Sequence, residues 1–327
     1  MKTFNFLNSV ALSKFGINRP LSVLNLVTFR CNLKCKYCGI WKTPRKEMTT
    51  EQIKKAMKEF ADAGNIVWAF SGGEPLIRND IGELINYGKD LGMIITLVSN
   101  GLLIPKKISE IKNLDLLILS LDGPKEINIK TRGKNSYESV LNSIKIAKDY
   151  NIKKIRLSSV ISKENVKNGC YGIKEMFNIA KNFNIELNMQ PVYADSYNKS
   201  TVNKCFSTES DYTKAISLIK NFKKENPKLL STTEPCLEFL TTLNKKNIKQ
   251  KCYAGSLFCY LFPDGLVAPC LFKEDQGIDG LKYGFVNAFN MLPKQDNCTC
   301  FLNCHVEYNL LFSLNFKSIK SYILRFI

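Results

Sequence analysis

No apolar run in these 327 residues reaches the ~20 needed to cross a bilayer. The stretch from Met1 to Gly16 holds two lysines and a weakly apolar segment. It lacks a true hydrophobic region and a small-residue cleavage site, so it does not read as a signal peptide, and the expected location is cytoplasmic. Acids are scarce: 29 against 47 Lys plus Arg, a net charge of +18. Such an excess suits a polyanion partner. Here Lys, Asn and Ile are abundant along the whole chain and no lysine block stands apart, so no specific nucleic-acid partner is expected. With 45% hydrophobic and 23% charged residues, wholesale disorder and low complexity are excluded. Histidine occurs once, at His305.

Cysteine, by contrast, is plentiful and unevenly placed, with twelve in all. A cytoplasmic chain keeps its thiols reduced, so metal binding or catalysis is a better reading than a disulfide framework. Cys31, Cys35 and Cys38 form one group; Cys252, Cys259, Cys270, Cys298, Cys300 and Cys304 form another. Cys170, Cys205 and Cys236 are scattered and read as small buried hydrophobes.

Between residues 21 and 190 two periods alternate. Apolar strand runs are expected at 21–29, 66–70, 93–98, 114–121, 155–161 and 185–190. Helical patterns fall between them, at 81–91, 106–112, 136–150 and 173–182, with another from Thr49, where Gln52 is placed for a capping box. Six β/α units imply a parallel α/β sheet with right-handed crossovers, as a partial barrel or an open doubly wound sheet. Residues 196–250 are polar and lysine-rich with two expected helices, and read as a connecting segment. Residues 251–305 hold the second cysteine group around a hairpin with the turn Pro263-Asp264-Gly265. Residues 1–20 form an N-terminal extension. Residues 306–327 are a basic amphipathic helix candidate that would dock on its own domain or, alternatively, touch a membrane surface peripherally.

Three thiolates within eight residues can converge on one metal centre, and soft sulfur selects zinc or an iron–sulfur cluster. Structural zinc wants a fourth ligand, and no further Cys or His is near in sequence. The spacing C-x3-C-x2-C, with Tyr37 before the last Cys, resembles the signature of the radical S-adenosylmethionine (radical SAM) enzymes. Ser71-Gly72-Gly73-Glu74-Pro75 is similar to that family's GGEP motif, which implies that Gly72, Gly73 and Glu74 meet the amino group of the cofactor. Ser99-Asn100-Gly101 resembles its ribose-contacting segment, and Ser120-Leu121-Asp122-Gly123 its S-x-D-G element. Arg132, placed on the following loop, matches an Arg often near the cofactor carboxylate. Ser158 and Gln190 are further strand-end candidates. These positions all follow strands, the edge where such folds build sites. The resemblance covers roughly residues 20–195 and implies a partial (β/α)6 TIM-like barrel.

The stretch from Cys252 to Cys270 resembles the opening of a SPASM or shorter twitch auxiliary-cluster domain: twelve residues separate Cys252 from Gly265 and four separate Gly265 from Cys270. The later cysteines depart from the full SPASM pattern, and six cannot supply eight ligands. One auxiliary [4Fe-4S] cluster is therefore expected, held by Cys252, Cys270 and Cys304, with Cys259, Cys298 or Cys300 as the fourth ligand. A zinc knuckle is the alternative use of the same cysteines.

The resemblance implies an iron–sulfur oxidoreductase-type enzyme that reductively cleaves S-adenosyl-L-methionine to a 5′-deoxyadenosyl radical and abstracts a hydrogen atom from its substrate. A peptide or protein substrate is the first expectation, and a dehydrogenase or epimerase of a small molecule or sugar the second. A zinc-binding module without catalysis is the remote third. A reductant such as flavodoxin or ferredoxin is implied. No catalytic acid or base is assigned; Tyr193, Asp195 and Glu234 are positional guesses.

Overall fold

The computed structural model describes residues 18–194, 197–198, 202–243, 248–314 and 316–317. Six parallel strands lie in chain order: β1 (Ser22–Thr28), β2 (Val67–Gly72), β3 (Ile94–Ser99), β4 (Leu116–Ser120), β5 (Ile155–Ile161) and β6 (Glu186–Pro191). Helices α1 (Thr50–Asp62), α2 (Ile81–Asp90), α3 (Ile104–Ile111), α4 (Lys125–Arg132), α5 (Ser136–Asp149) and α6 (Lys167–Phe183) intervene. This is the partial TIM-like α/β barrel that the resemblance implies, and one of the two arrangements that the alternation allows. The capping box also forms, with the Thr49 amide donating to Gln52 Oε1 and the Gln52 amide donating to Thr49 Oγ1.

Strand alternation divides the sheet into two faces. Trp68, Phe70, Ile95, Leu97, Leu117, Leu119, Leu157 and Leu187 are buried in one core with the apolar faces of the helices. The residues between them, including Ala69, Ser71, Val98, Ile118, Ser120, Ser158 and Asn188, are mostly small or polar, with Val98 and Ile118 the aliphatic exceptions, and are only partly covered. They leave the concave face of the barrel open, which is the space a bound molecule needs.

The structure departs from the sequence reading in three places. Arg132, expected on a loop, is the last residue of helix α4, whose polar sequence masked its period. The connecting segment is not a mere linker. Its helix α7 (Glu209–Glu225) packs into the main core, with Phe222 stacked on Phe177 at 3.9 Å, and α8 (Glu234–Leu240) buries Cys236, Leu237 and Leu240. The expected hairpin forms as β8 (Phe258–Leu261) and β9 (Leu266–Ala268), but it joins the barrel sheet. Strand β8 pairs parallel with β1, and β10 (Ile278–Asp279) extends the edge, so one sheet of nine strands runs β10-β9-β8-β1-β2-β3-β4-β5-β6. The reason is elementary: a partial barrel leaves the amides and carbonyls of β1 unpaired, and β8 pairs them. A short ribbon, β7 (Gln250–Lys251) with β11 (Asn297–Cys298), stands beside it. Two short helices, α9 (Gly280–Tyr283) and α10 (Phe285–Asn290), follow β10.

The final described helix, α11 (Asn303–Phe312), docks on the barrel, with a Ser22–Tyr308 hydroxyl contact at 2.8 Å and Glu307 accepting from the Thr233 amide and hydroxyl. Residues 318–327, where the rest of the amphipathic helix was expected, lie outside the described residues, as does most of the N-terminal extension.

On the barrel's open face, Glu186 accepts from Arg156 Nε at 2.8 Å and pairs with Lys154 at 2.6 Å. Burial alone would raise the Glu186 carboxyl; Arg156 and Lys154 outweigh it and hold it below the usual carboxylate range. Because the folded-state value lies below the unfolded one, the pair's contribution is present above about pH 4.3 and is lost as pH falls through the folded value. Glu186→Gln is expected to cost about 2 kcal/mol at neutral pH and progressively less in acid. Urea unfolding at pH 7 and pH 3.5 checks it; equal losses at both would sink the assignment.

Candidate active site

The loop leaving β1 carries Cys31, Cys35 and Cys38, and backbone contacts hold it down on two sides. The Lys36 amide donates to the Thr131 carbonyl at 2.9 Å. The segment leaving β2 runs against the loop's base, with the Gly73 amide on the Thr28 carbonyl (2.7 Å) and the Glu74 amide on the Arg30 carbonyl (2.9 Å). This approach explains the glycines. A Cβ at Gly72, where φ is +123°, would lie 2.3 Å from the Thr28 carbonyl oxygen, and one at Gly73 would lie 2.2 Å from that of Arg30. Gly73→Ala is therefore expected to push the cysteine loop outward, destabilising the fold by about 1–3 kcal/mol. It should also weaken retention of any group held by the three thiols at least tenfold, read as metal content after gel filtration. Full retention would show that the contact yields.

The three cysteines line one cavity of about 130 Å³. Seven of the ten expected cofactor contacts line it too: Tyr37, Gly72, Gly73, Ser99, Asn100, Ser120 and Arg132. Three expected contacts stand elsewhere. Glu74 is fully buried behind the wall, its carboxylate accepting from the Asn100 amide (2.8 Å), the Leu76 amide (3.1 Å) and the Ser99 hydroxyl (3.0 Å). Burial raises its carboxyl to about 7 against the pull of those donors. Asp122 is likewise buried and serves as a hub. Arg132 grips it with Nε at 2.9 Å and Nη2 at 3.0 Å, Tyr37 donates its hydroxyl at 2.6 Å, and the Val160 amide donates at 3.1 Å. Ser158 sits opposite Ser120 in the β4–β5 register, beyond the cavity lining. Gln190, one position before the end of β6, faces the open side. Glu74 and Asp122 therefore shape the site from behind its wall.

Sequence reasoning missed Trp41, which lines the cavity between Lys34 and Lys42, each 5.2 Å from its ring centroid. Its nearness to Cys38, whose carbonyl accepts its indole N–H at 3.1 Å, was the available signal.

Cys31 Sγ accepts from the Leu33 amide at 3.5 Å and lies 4.0 Å from Asn100 Nδ2. Burial pushes the Cys35 thiol up to about 12, with the Arg132 cation working against it. A thiol held this far from ionisation becomes a thiolate ligand only beside a cationic group that offsets its burial. Among the described residues no three metal-ligand side chains are close enough to hold a single metal ion. Three sulfurs lining one cavity, with glycine backbone for its wall, fit a polynuclear cluster and an attached organic cofactor.

The second cysteine group gathers where the hairpin, the ribbon and α11 meet. Pairing of β7 with β11 sets Cys298 opposite Gln250, and the Cys252 amide donates to the Asp296 carbonyl at 3.1 Å. Cys252, Cys270 and Cys298 share one apolar cluster. Cys252, Cys298 and Cys300 lie close enough to interact, and burial beside one another raises Cys252 and Cys300. Burial pushes Cys270 up to about 11 and Cys304 up to about 12. Cys259 stands apart: it lies within β8, packs in the main core and is raised by burial alone. Five cysteines thus converge, and the sixth fills the core. His305 is buried, with Nε2 2.9 Å from Tyr260 Oη and Nδ1 3.4 Å from Cys300 Sγ. Tyr193 packs edge-on against Phe272 at 5.6 Å, Glu234 is exposed at the start of α8, and Asp195 lies outside the described residues.

A three-thiol loop at the C-terminal edge of a partial barrel, joined to a glycine-rich edge on the next strand, defines a class. The family model of the Radical SAM superfamily matches residues 25–167, and that stretch is a radical SAM domain. The chain is 36% identical over 157 residues to the Fe-coproporphyrin III synthase of Methanosarcina barkeri, covering 46% of this chain and 39% of that protein. It is 38% identical over 106 residues to the PqqA peptide cyclase of Bradyrhizobium diazoefficiens, covering 31% and 27%. The similarity thus spans well under half the length of either curated relative. Among solved structures, Streptococcus suis SuiB bound to precursor peptide SuiA superposes with a TM-score of 0.64 at 18% identity, covering 88% of this chain and 64% of that one. The anSMEcpe structure with bound AdoMet and Cp18Cys peptide gives 0.60 at 24% identity, covering 77% and 74%. At these identities the likeness is one of fold.

Proposed function

We propose that this chain is a radical SAM enzyme acting on a peptide or protein, with a catalytic [4Fe-4S] cluster on Cys31, Cys35 and Cys38 and one auxiliary cluster in the second cysteine group. The observation that carries the reading is the single cavity that gathers the three thiols, the Gly72-Gly73 edge, Ser99, Asn100, Ser120 and Arg132. When bound, the cluster and S-adenosylmethionine supply an electron and a 5′-deoxyadenosyl radical. The protein's own residues position and shield. Gly72 and Gly73 bring backbone to the cavity wall, Arg132 offers a guanidinium fixed by Asp122, and Asn100 offers its amide beside Cys31. The part-covered face of β4–β6, with Ser158, Asn188 and Gln190, offers donors and acceptors to a polar substrate. A low-potential carrier such as flavodoxin or ferredoxin supplies the electron.

A peptide substrate is supported by the PqqA peptide cyclase similarity and by the fold shared with SuiB and anSMEcpe, both solved with peptides. The second reading, a small-molecule substrate, is supported by the similarity to Fe-coproporphyrin III synthase.

Anaerobic reconstitution followed by iron, sulfide and zinc counting is the test. About eight irons and eight sulfides per chain are expected, with 5′-deoxyadenosine formed on reduction with dithionite. About four irons would remove the auxiliary cluster, and zinc alone would overturn the reading.

A further inference from the structure

The register of β4, β5 and β6 sets Ser120, Ser158 and Asn188 side by side on the open face of the barrel. Adjacent strands lie about 4.8 Å apart, so the row spans about 10 Å. It starts at the cavity, which Ser120 lines. It ends against Asn303, the first residue of α11. The hydrogen bonds at that end fix one carboxamide. A backbone carbonyl only accepts, so the Asn303 atom 2.6 Å from the Met189 oxygen is its nitrogen, Nδ2. That nitrogen also donates to Asn188 at 3.2 Å, so the Asn188 atom there is the oxygen, Oδ1. The Thr232 hydroxyl donates to the same oxygen at 3.1 Å. Asn188 Nδ2 is therefore turned away from both donors. Thr232 and Asn303 are buried, which holds the amide in this orientation. Asn188 is half-buried, and its two N–H groups meet no acceptor among the described residues. The Ser120 and Ser158 hydroxyls have no partner among them either.

We propose that Asn188 is a substrate-binding residue whose Nδ2 donates to a backbone carbonyl oxygen of the bound peptide, beside the Ser158 hydroxyl. Thr232 and Asn303 are the positioning residues that aim it. The proposal rests on the peptide reading above. The chemistry selects a neutral carbonyl, because the donor carries no charge. Arg156, two residues before Ser158 on the same strand, is already held by Glu186. A carboxylate at this end of the row would thus lack a free cation to offset its burial. A donor aimed before binding also loses little freedom when the substrate arrives.

The test compares the wild type with Asn188→Asp, which keeps an oxygen for Thr232 and Asn303 and puts a second oxygen where the NH2 stands. Both are reconstituted anaerobically as full-length protein and incubated with a random library of N-acetylated, C-amidated hexapeptides. Bound peptides are separated by gel filtration and counted by mass spectrometry. Asn188→Asp is expected to retain the wild-type set about tenfold less. Equal retention overturns the role of Asn188 and leaves the peptide reading standing. No peptide retained by the wild type overturns both, while 5′-deoxyadenosine formation reports on the catalytic cluster separately. Thr232→Val is expected to weaken retention about threefold and Thr232→Ser to restore it; equal loss in the two overturns the positioning role. Because these substitutions could disturb α11, wild-type crystals are also soaked in N-methylacetamide, which carries one peptide group. Its carbonyl oxygen within hydrogen-bond range of Asn188 Nδ2 supports the proposal, and the probe bound only elsewhere overturns it.

Discussion

Replacing Cys35 by Ala is expected to abolish 5′-deoxyadenosine formation and remove about four of about eight irons, with little change in thermal stability. The side chain is small, half-covered and in a loop, so its loss leaves no large cavity in the core. Its role is to be one of the three thiols around a single cavity. Two thiols on this loop cannot hold a four-iron cluster with one open position. The same variant separates the two cysteine groups, because the three loop thiols line one cavity whose lining includes none of the second group. Retention of the full iron count, or persistent 5′-deoxyadenosine, would remove the catalytic cluster from this loop. Cys170→Ala is the matched control, since that cysteine is buried in the main core and faces neither group.

The second large effect is expected at Asp122. Its carboxylate takes two hydrogen bonds from Arg132, one from Tyr37 and one from the Val160 amide, all out of water. Asp122→Ala leaves a buried guanidinium without its anion, which costs about 3–5 kcal/mol. For a domain of this size the melting temperature should fall by roughly 5–15 °C. Adding Arg132→Met should recover much of the loss, because the penalty lies in the stranded charge. Cofactor binding would stay weak in the double variant, since Arg132 also lines the cavity. Thermal unfolding of the two single variants and the double variant, read as a cycle, checks this. A single-variant loss within 0.5 kcal/mol would mean that Arg132 finds another partner or solvent.

These two cases mark different degrees of legibility. Cys35 could be found from spacing, because three thiols in eight residues are close wherever the loop goes. Asp122 could be found as a member of the site but not by its job. Its partners Tyr37 and Arg132 lie 85 and 10 residues away in sequence, and only the packing of β4 against the cysteine loop makes it a hub. Glu74 is a similar case: a polar residue at a strand end reads as exposed to ligand, yet three local donors draw its carboxylate behind the wall. The polar face of α4 hid a helix whose last residue is Arg132.

The sequence by itself determined what depends on local order. Alternating periods gave six β/α units, Thr49 and Gln52 gave a capped helix, and cysteine spacing gave two thiol groups. Only the tertiary structure decided what depends on pairing between distant segments. It joined β8 to the open edge of β1, buried α7 in the barrel core, sent Cys259 inward, and set His305 between Tyr260 and Cys300. A side chain's own neighbours set the conformation of its segment. Its burial and hydrogen bonds are set by whatever surface the rest of the chain brings against it.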